Sequence, residues 1–378
     1  MNHRERLLAT LAGKPVERPA VSFYELGGYK IDGHDPDPFN VYNSPSWRPL
    51  LKLTEEHTDI IRFCEPVCIR TEKNTWHKFF TSHESLVNGS KITTTKLKVG
   101  GRTMTAQTRR DPDLNTIWTL EHLLKDVDDL KAYLELPDDV FSEEWDVRHI
   151  AAEDRLLGDN GILMFDTPDP ICMAAGLFSM DTFVIIAFTE RNLFHKLLQK
   201  LANYLYKRVQ FVSDACPGFL WRIYGPEYAC EPYLSPDLFN EYVVEYTGTM
   251  IKIIKSRGGI ARVHSHGRIK NILPHIAAMG ADAIDPIEPP HQGDIELSEV
   301  RKLYGNQMVL FGNLEITDIE NLETSEFEKK VHKALVEGTA GNGRGFVLMP
   351  SASPYGREIT SLTLKNYETM VRLVEYWN

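Results

Sequence analysis

Eight short apolar or β-branched runs, most of them ended by a polar or charged residue, punctuate this 378-residue chain and limit what it can become. They are Ala20–Tyr24, Asp59–Phe63, Ile162–Phe165, Trp221–Tyr224, Ala261–Val263, Ala283–Ile284, Met308–Phe311 and Phe346–Met349. From the third run onward, amphipathic helical stretches separate them, among them Asn192–Val212, Pro236–Arg257, Arg268–Met279 and Thr324–Glu337. Strand and helix alternating in this way signal βαβ units and a parallel sheet. A count of eight favours closure into an α/β (β/α)8 TIM barrel over an open doubly wound sheet. No Gly-x-Gly-x-x-Gly stands at a strand-to-helix turn to argue for dinucleotide binding. Barrels of this class often run past about 250 residues with insertions, so residues 1–378 read as one domain.

One segment breaks the rhythm. Across residues 75–120, between the second and third strands, the pattern alternates: Lys91-Ile-Thr-Thr-Thr-Lys-Leu-Lys98, then Gly100-Gly101, then Arg102-Thr-Met-Thr-Ala-Gln-Thr108. A Gly-Gly pair between two period-two runs reads as a β-hairpin. We expect an antiparallel insertion packed over one rim of the barrel, and prefer a decorative excursion to a lid or partner-docking surface.

Composition narrows the function classes. Forty-two Lys and Arg against 53 Asp and Glu give a net charge of -11, which argues against sequence-independent nucleic-acid binding. No apolar stretch approaches the roughly 20 residues needed to cross a bilayer, and the opening residues read as a helix rather than a signal peptide. A cytoplasmic protein with no membrane partner is expected. The five cysteines, Cys64, Cys68, Cys172, Cys216 and Cys230, are odd in number and scattered, which suits reduced core thiols.

In such a barrel, catalytic groups sit where strands end and βα loops begin. Those positions hold Glu25, Glu65, Asp166 with Asp169, Glu227, His264 with His266, Asp285 with Glu288, Asn313, and Ser351 with Ser353. Ala261-Arg-Val-His-Ser-His-Gly267 is the sharpest local feature. On extended backbone, residues two apart point the same way, so His264 and His266 project together into the mouth. Neutral imidazoles are good zinc ligands, and Glu227 at the preceding strand end can complete the set; hydrogen-bonded pocket histidines without metal are the alternative. Glu288, in a Pro-rich loop that restricts its backbone, is a candidate general base, histidine partner or further ligand, with a rigid surface turn as the equal alternative. Tyr24, with Gly27-Gly28 and Tyr29 beyond it, reads either as the lining of a pocket for a flat substrate or as core aromatics beside a flexible turn.

Over nearly its full length the chain resembles the uroporphyrinogen decarboxylase superfamily. The likeness rests on Arg4-Glu-Arg-Leu-Leu-Ala-Thr-Leu-Ala-Gly-Lys-Pro-Val-Glu-Arg-Pro19, Leu234-Ser-Pro-Asp-Leu-Phe-Asn-Glu-Tyr242, Val263-His-Ser-His-Gly267, Gly280-Ala-Asp-Ala-Ile-Asp285, Gly312-Asn313 and Leu348-Met-Pro-Ser-Ala-Ser-Pro354. Porphyrin decarboxylases carry an Arg-Gln-Ala-Gly-Arg segment after the first strand that receives substrate carboxylates; here Tyr24-Glu25-Leu26-Gly27-Gly28 stands instead. Their catalytic aspartate falls on Glu65 and their late histidine near Ser351. The superfamily's cobalamin-dependent methyltransferases resemble the chain better. Members hold zinc through His-x-Cys after the fifth strand and a late cysteine; here these become His264-x-His266 and Ser351 or Ser353. A His/His/carboxylate set is harder than a thiolate site and suits polarising an ether oxygen.

The resemblance therefore implies a methyltransferase acting between a small methylated substrate, such as a methyl ether, and a corrinoid held by a partner protein. Zinc on Glu227, His264 and His266 would be the Lewis acid. Glu65, Asp166 and Glu288 are the expected catalytic carboxylates; Tyr24, Glu25, Tyr224, Asn313 and Ser351 the expected substrate contacts. The competing readings are a decarboxylase-like lyase using Glu65 or Asp166, and a barrel that binds a ligand without turnover. A homodimer is implied by the same likeness.

Overall fold

The computed structural model describes residues 1–377. Eight parallel strands form one curled sheet: β1 Ala20–Val21, β2 Ile60–Cys64, β3 Gly161–Pro168, β4 Leu220–Tyr224, β5 Ile260–His264, β6 Ala283–Asp285, β7 Val309–Leu314 and β8 Phe346–Pro350. Their order is β1-β8-β7-β6-β5-β4-β3-β2, so every strand from β2 to β8 lies beside its neighbour in sequence and β8 returns to β1. Where β1 meets β2, the Asp59 N–H donates to the Val21 carbonyl at 2.7 Å, and the Val21 N–H donates to Asp59 Oδ2 at 2.9 Å. One aspartate thus stitches the closing seam of the barrel. All eight expected runs became strands. The first is shorter than expected because Tyr24 turns into the left-handed region, φ 56°, and starts a helical turn over Glu25–Gly28.

Two layers of core follow from strand alternation. Inside the sheet lie Ile61, Ile162, Met164, Leu220, Ala283, Val309, Phe311, Val347 and Met349, with Leu7 and Leu11 of the opening helix (His3–Leu11) packed against them. Between sheet and outer helices lies the larger cluster, including Trp221, Ile223, Val263 and Leu310. The long helix Arg191–Ala215 and the helices Thr324–Gly338 and Ser361–Glu375 contribute apolar stripes to it. Pro236–Ser256 runs as expected, with one π turn over Asn240–Val244. The expected helix Arg268–Met279 is trimmed to Leu273–Ala278, because Arg268 is drawn into a bridge with Glu231.

The insertion is larger than the expected hairpin. Phe80–Val87, Ser90–Val99, Arg102–Arg110 and Ile117–Glu121 form a four-stranded antiparallel sheet in sequential order, and Val67–Arg70 pairs separately with Glu143–Asp146. Gly100 and Gly101 make the expected turn with φ 57° and 72°. A second turn, Asn88-Gly89 with φ 51° and 83°, is the dipeptide hairpins favour most; it is what adds the first strand. Cys68 lies on the exposed strand Val67–Arg70, so it is not a core thiol; Cys64, Cys216 and Cys230 are buried as expected.

The seam yields a first prediction. Asp59 is fully buried and also accepts from His3 Nδ1 at 3.0 Å and Arg6 Nη1 at 2.5 Å, with Arg18 at 3.4 Å. Burial opposes its charge, but these partners hold its carboxyl below the ordinary range. Removing one member of a buried ion pair strands the other, so Asp59→Ala should cost about 3–5 kcal/mol in urea unfolding. A second concerns Asp169, buried and capping the helix Pro170–Ala175 through the Cys172 N–H at 2.8 Å. Thr247 Oγ1 lies 3.0 Å from its other oxygen, and burial pushes the carboxyl up to about 8. A raised folded pKa means stability present at low pH and lost as pH rises. Asp169→Asn keeps both hydrogen bonds, so its melting temperature should gain on wild type between pH 5 and pH 8.

Candidate active site

Register sets the site. In the parallel pairing, Arg222 of β4 lies beside Asp166 of β3, and His264 of β5 beside Asp285 of β6. Two arginines, Arg222 and Arg262, point into the barrel, with only 5% and 1% of their surface exposed. Each is closed by a forked ion pair. Arg222 Nε and Nη2 meet the two Asp166 oxygens at 2.8 Å each, and Arg262 meets Asp285 at 2.5 and 2.6 Å. Arg222 also donates to the Tyr24 hydroxyl, and its guanidinium lies over the rings of Phe63 and Tyr24 at 4.6 and 5.1 Å.

Asp285 then reaches the histidine pair. Its Oδ2 lies 2.6 Å from His264 Nδ1. Burial disfavours the Asp285 charge, yet Arg262 and His264 hold its carboxyl well below the usual range, so it is an acceptor and His264 Nδ1 carries the proton. Burial pushes His264 down to about 4, against the pull of Asp285. At neutral pH the ring is therefore neutral, with a lone pair on Nε2. Tyr24 stacks on it, centroids 5.9 Å apart at 19°. His266 is held in the same way: Nδ1 lies 2.7 Å from Glu288 Oε1, while Glu288 Oε2 accepts the Gly267 N–H at 2.6 Å. Burial opposes the His266 charge, but Glu288 raises its pKa above the ordinary value. The two rings are 4.6 Å apart, edge to face.

Glu227 sits in the turn Pro226–Ala229 after β4. Its Oε2 is buried without a hydrogen-bond partner, and burial raises its pKa. No three His, Cys, Asp or Glu groups among the described residues are drawn together into a metal centre as they stand. The donor chemistry nevertheless fits a cation: one neutral imidazole and one exchangeable one, each oriented through Nδ1 by a carboxylate, and a buried carboxylate oxygen that nothing satisfies.

At His266 opens a cavity of about 510 Å³. Tyr24, Glu25, His266, Ser351 and Tyr355 line it from the barrel; Arg110, Asn115, Thr116 and Ile117 line it from the insertion. The antiparallel sheet is therefore a roof, not a decoration. Arg357 fastens it: its N–H donates to Asp113 at 3.0 Å, its Nη2 to Pro112 at 2.8 Å and its Nη1 to Asn43 at 2.7 Å. The Asn115 N–H donates to the Tyr355 carbonyl at 2.7 Å.

Of the residues expected at the site, Tyr24, Glu25, His266 and Ser351 share this cavity. Glu65, Asp166 and Glu288 are engaged as anchors, Glu65 by Arg208 and the Asp166 N–H. Tyr224 lies under Arg222, 5.6 Å from its guanidinium. Asn313 lines a different, smaller cavity with Pro289, Pro290 and Lys333. Sequence reasoning missed Arg222, Arg262 and Glu315. Glu315 accepts from Ser351 Oγ at 3.1 Å, keeps Oε1 unpartnered, and is pushed up to about 7 by burial. A charge inside each of the runs Trp221–Tyr224 and Ala261–Val263 was the available signal for the arginines.

No curated protein sequence matches this chain. Among solved structures, a methyltransferase from Methanosarcina mazei superposes with a TM-score of 0.59 over 99% of this chain and 98% of that one, at 15% identity. A D-psicose 3-epimerase gives a TM-score of only 0.32 at 9% identity, over 65% of this chain and 85% of its own, and carries no argument. The first match shares the fold. The sequence model of the uroporphyrinogen decarboxylase (URO-D) family covers residues 169–376, from the helix cap after β3 through every later strand. With more than half its length matched and the barrel closed around that stretch, the chain belongs to the uroporphyrinogen decarboxylase (URO-D) family.

Proposed function

We propose that this chain is a methyltransferase that moves a methyl group between a small methylated substrate and a corrinoid carried by a partner protein. In this reading, His264, His266 and Glu227 hold a zinc-type cation. The observation that carries it is the pair of imidazoles, each fixed through Nδ1 on a carboxylate, with an unsatisfied buried oxygen on Glu227 in the turn after β4. A cation there would supply Lewis acidity, drawing charge from the substrate heteroatom as its methyl group departs.

The chain's own residues supply the rest. Arg262 keeps Asp285 ionised, and Asp285 keeps the His264 proton on Nδ1. Arg222, locked on Asp166, fixes the Tyr24 ring against His264. Glu288 orients His266 and ties it to the Gly267 backbone. The roof and the Ser351–Tyr355 segment enclose the substrate and limit the directions from which a methyl acceptor can approach, as in-line transfer requires. The lyase reading draws less support, because Glu65 and Asp166 are bound to Arg208 and Arg222 and neither lines the cavity.

Elemental analysis of purified protein, paired with methyl transfer from candidate substrates to reduced corrinoid, tests the proposal. Wild type should carry stoichiometric metal, and His264→Ala and Glu227→Gln should lose it together with transfer. A metal-free wild type, or transfer indifferent to both substitutions, would sink the idea. Metal retention should also depend on pH. Glu288 favours the doubly protonated His266 ring, and its Nε2 proton must leave before that nitrogen can coordinate. Dialysis against a chelator should therefore strip metal progressively faster from pH 8 to pH 5.

A further inference from the structure

The cavity's charges point to what it receives. Inside the barrel, both arginines at the site are already committed, Arg222 to Asp166 and Arg262 to Asp285, while Arg208, on the outer helix, pairs with Glu65 and does not line the cavity. A guanidinium closed by a forked carboxylate has no charge left to offer a ligand. Arg110, at the end of the insertion strand Arg102–Arg110, is different. It lines the cavity, while the described residues show no carboxylate within ion-pair distance of it. Its neighbour Arg109 takes Asp111, 3.2 Å away. One Arg110 donor, Nη2, is given to the Phe39 carbonyl at 2.8 Å, which leaves most of its five N–H groups uncommitted.

Arg110 is also held in place before any ligand arrives. Its backbone is registered between Lys91 and Ile117 in the insertion sheet. The loop that follows is pinned by Arg357 and by the Asn115–Tyr355 hydrogen bond. His266 and Arg110 line the same cavity, so one bound molecule can touch both. Glu25 lines that cavity too and is not paired with Arg110. A multiply charged anion would meet Glu25 with only one free guanidinium to offset it. A single carboxylate suits the planar fork of one arginine.

We propose that Arg110, delivered by the insertion, receives a carboxylate on the substrate in the cavity that His266 also lines, so that the substrate class is a small methylated carboxylate. This rests on the methyl-transfer reading for the word methylated, and on the cavity alone for the word carboxylate. It gives the roof a role in selecting substrate as well as enclosing it.

Matched pairs test it: 4-methoxybenzoate with 4-methoxybenzamide, methoxyacetate with methoxyacetamide, and glycine betaine with its amide. Binding to the full-length protein is measured by calorimetry for wild type, Arg110→Gln and Arg110→Lys. At least one carboxylate should bind wild type about tenfold tighter than its amide, a difference of about 1.4 kcal/mol. Arg110→Gln should erase that preference and Arg110→Lys should restore part of it, with all three proteins melting alike. If no carboxylate binds better than its amide, or if the preference survives Arg110→Gln, the assignment is wrong. Metal content and methyl transfer play no part in this readout, so failure of the methyl-transfer reading and failure of the carboxylate assignment are told apart.

Discussion

A guanidinium buried among apolar side chains must be neutralised where it stands, because desolvating an unpaired charge costs several kcal/mol. Arg262 meets that demand at Asp285, and the rest of the site is built outward from the pair. Asp285 has two oxygens; Arg262 takes both in a fork, and one of them also takes His264 Nδ1. The tautomer of His264 is thereby decided by an arginine one side-chain layer deeper in the barrel. With its proton fixed on Nδ1 and its charge suppressed by burial, the ring offers a lone pair to the mouth. Arg222 repeats the logic one strand away, converting Asp166 from a free carboxylate into the anchor of Tyr24.

This arrangement explains why the acidic rim read from the sequence is not a row of general bases. Glu65, Asp166, Asp285 and Glu288 each sit opposite a cation or an imidazole that they hold in position. Glu227, Glu315 and Asp169 lack such a partner and are raised by burial, Asp169 being taken up by the Cys172 N–H and Thr247, while Glu25 faces the open cavity. A rim of committed charges is rigid, which is what positioning of a transferred group requires. The uncommitted groups are the ones left to meet a cation, a proton or a substrate.

The barrel was legible because its signal is local. Each strand needs only a short apolar run with alternate faces buried, and such runs as Ile162–Phe165 and Phe346–Met349 carry that in their own composition. The histidine pair was legible for the same reason, since two residues apart on a strand is a statement about one segment. The ion pairs inside the barrel were not, because Arg262 finds Asp285 only through the register of β5 against β6. Asn313 shows the converse failure: its position at a strand end suggested the mouth, yet it lines a cavity bounded by the Pro289-Pro290 loop and the helix carrying Lys333. The second hairpin turn, Asn88-Gly89, was written in the sequence and needed only its dipeptide to be recognised.

The roof was the least legible part, and the reason is physical. Alternating residues across 91–108 specify an antiparallel ribbon but not where it lies, since its strands satisfy one another's hydrogen bonds wherever they rest. Its placement is decided by a few contacts distant in sequence. Leu97 and Met104 are buried in the same apolar cluster as Leu130, Arg102 Nε reaches Asp129 at 2.7 Å, and Arg357 collects the carbonyls of the 112–113 loop from the segment after β8. Arg357 therefore joins parts of the chain 245 residues apart, across the open end of the barrel. Without that link, Arg110 is one more surface cation in an acidic protein; with it, the guanidinium becomes a fixed wall of the cavity that His266 lines from below.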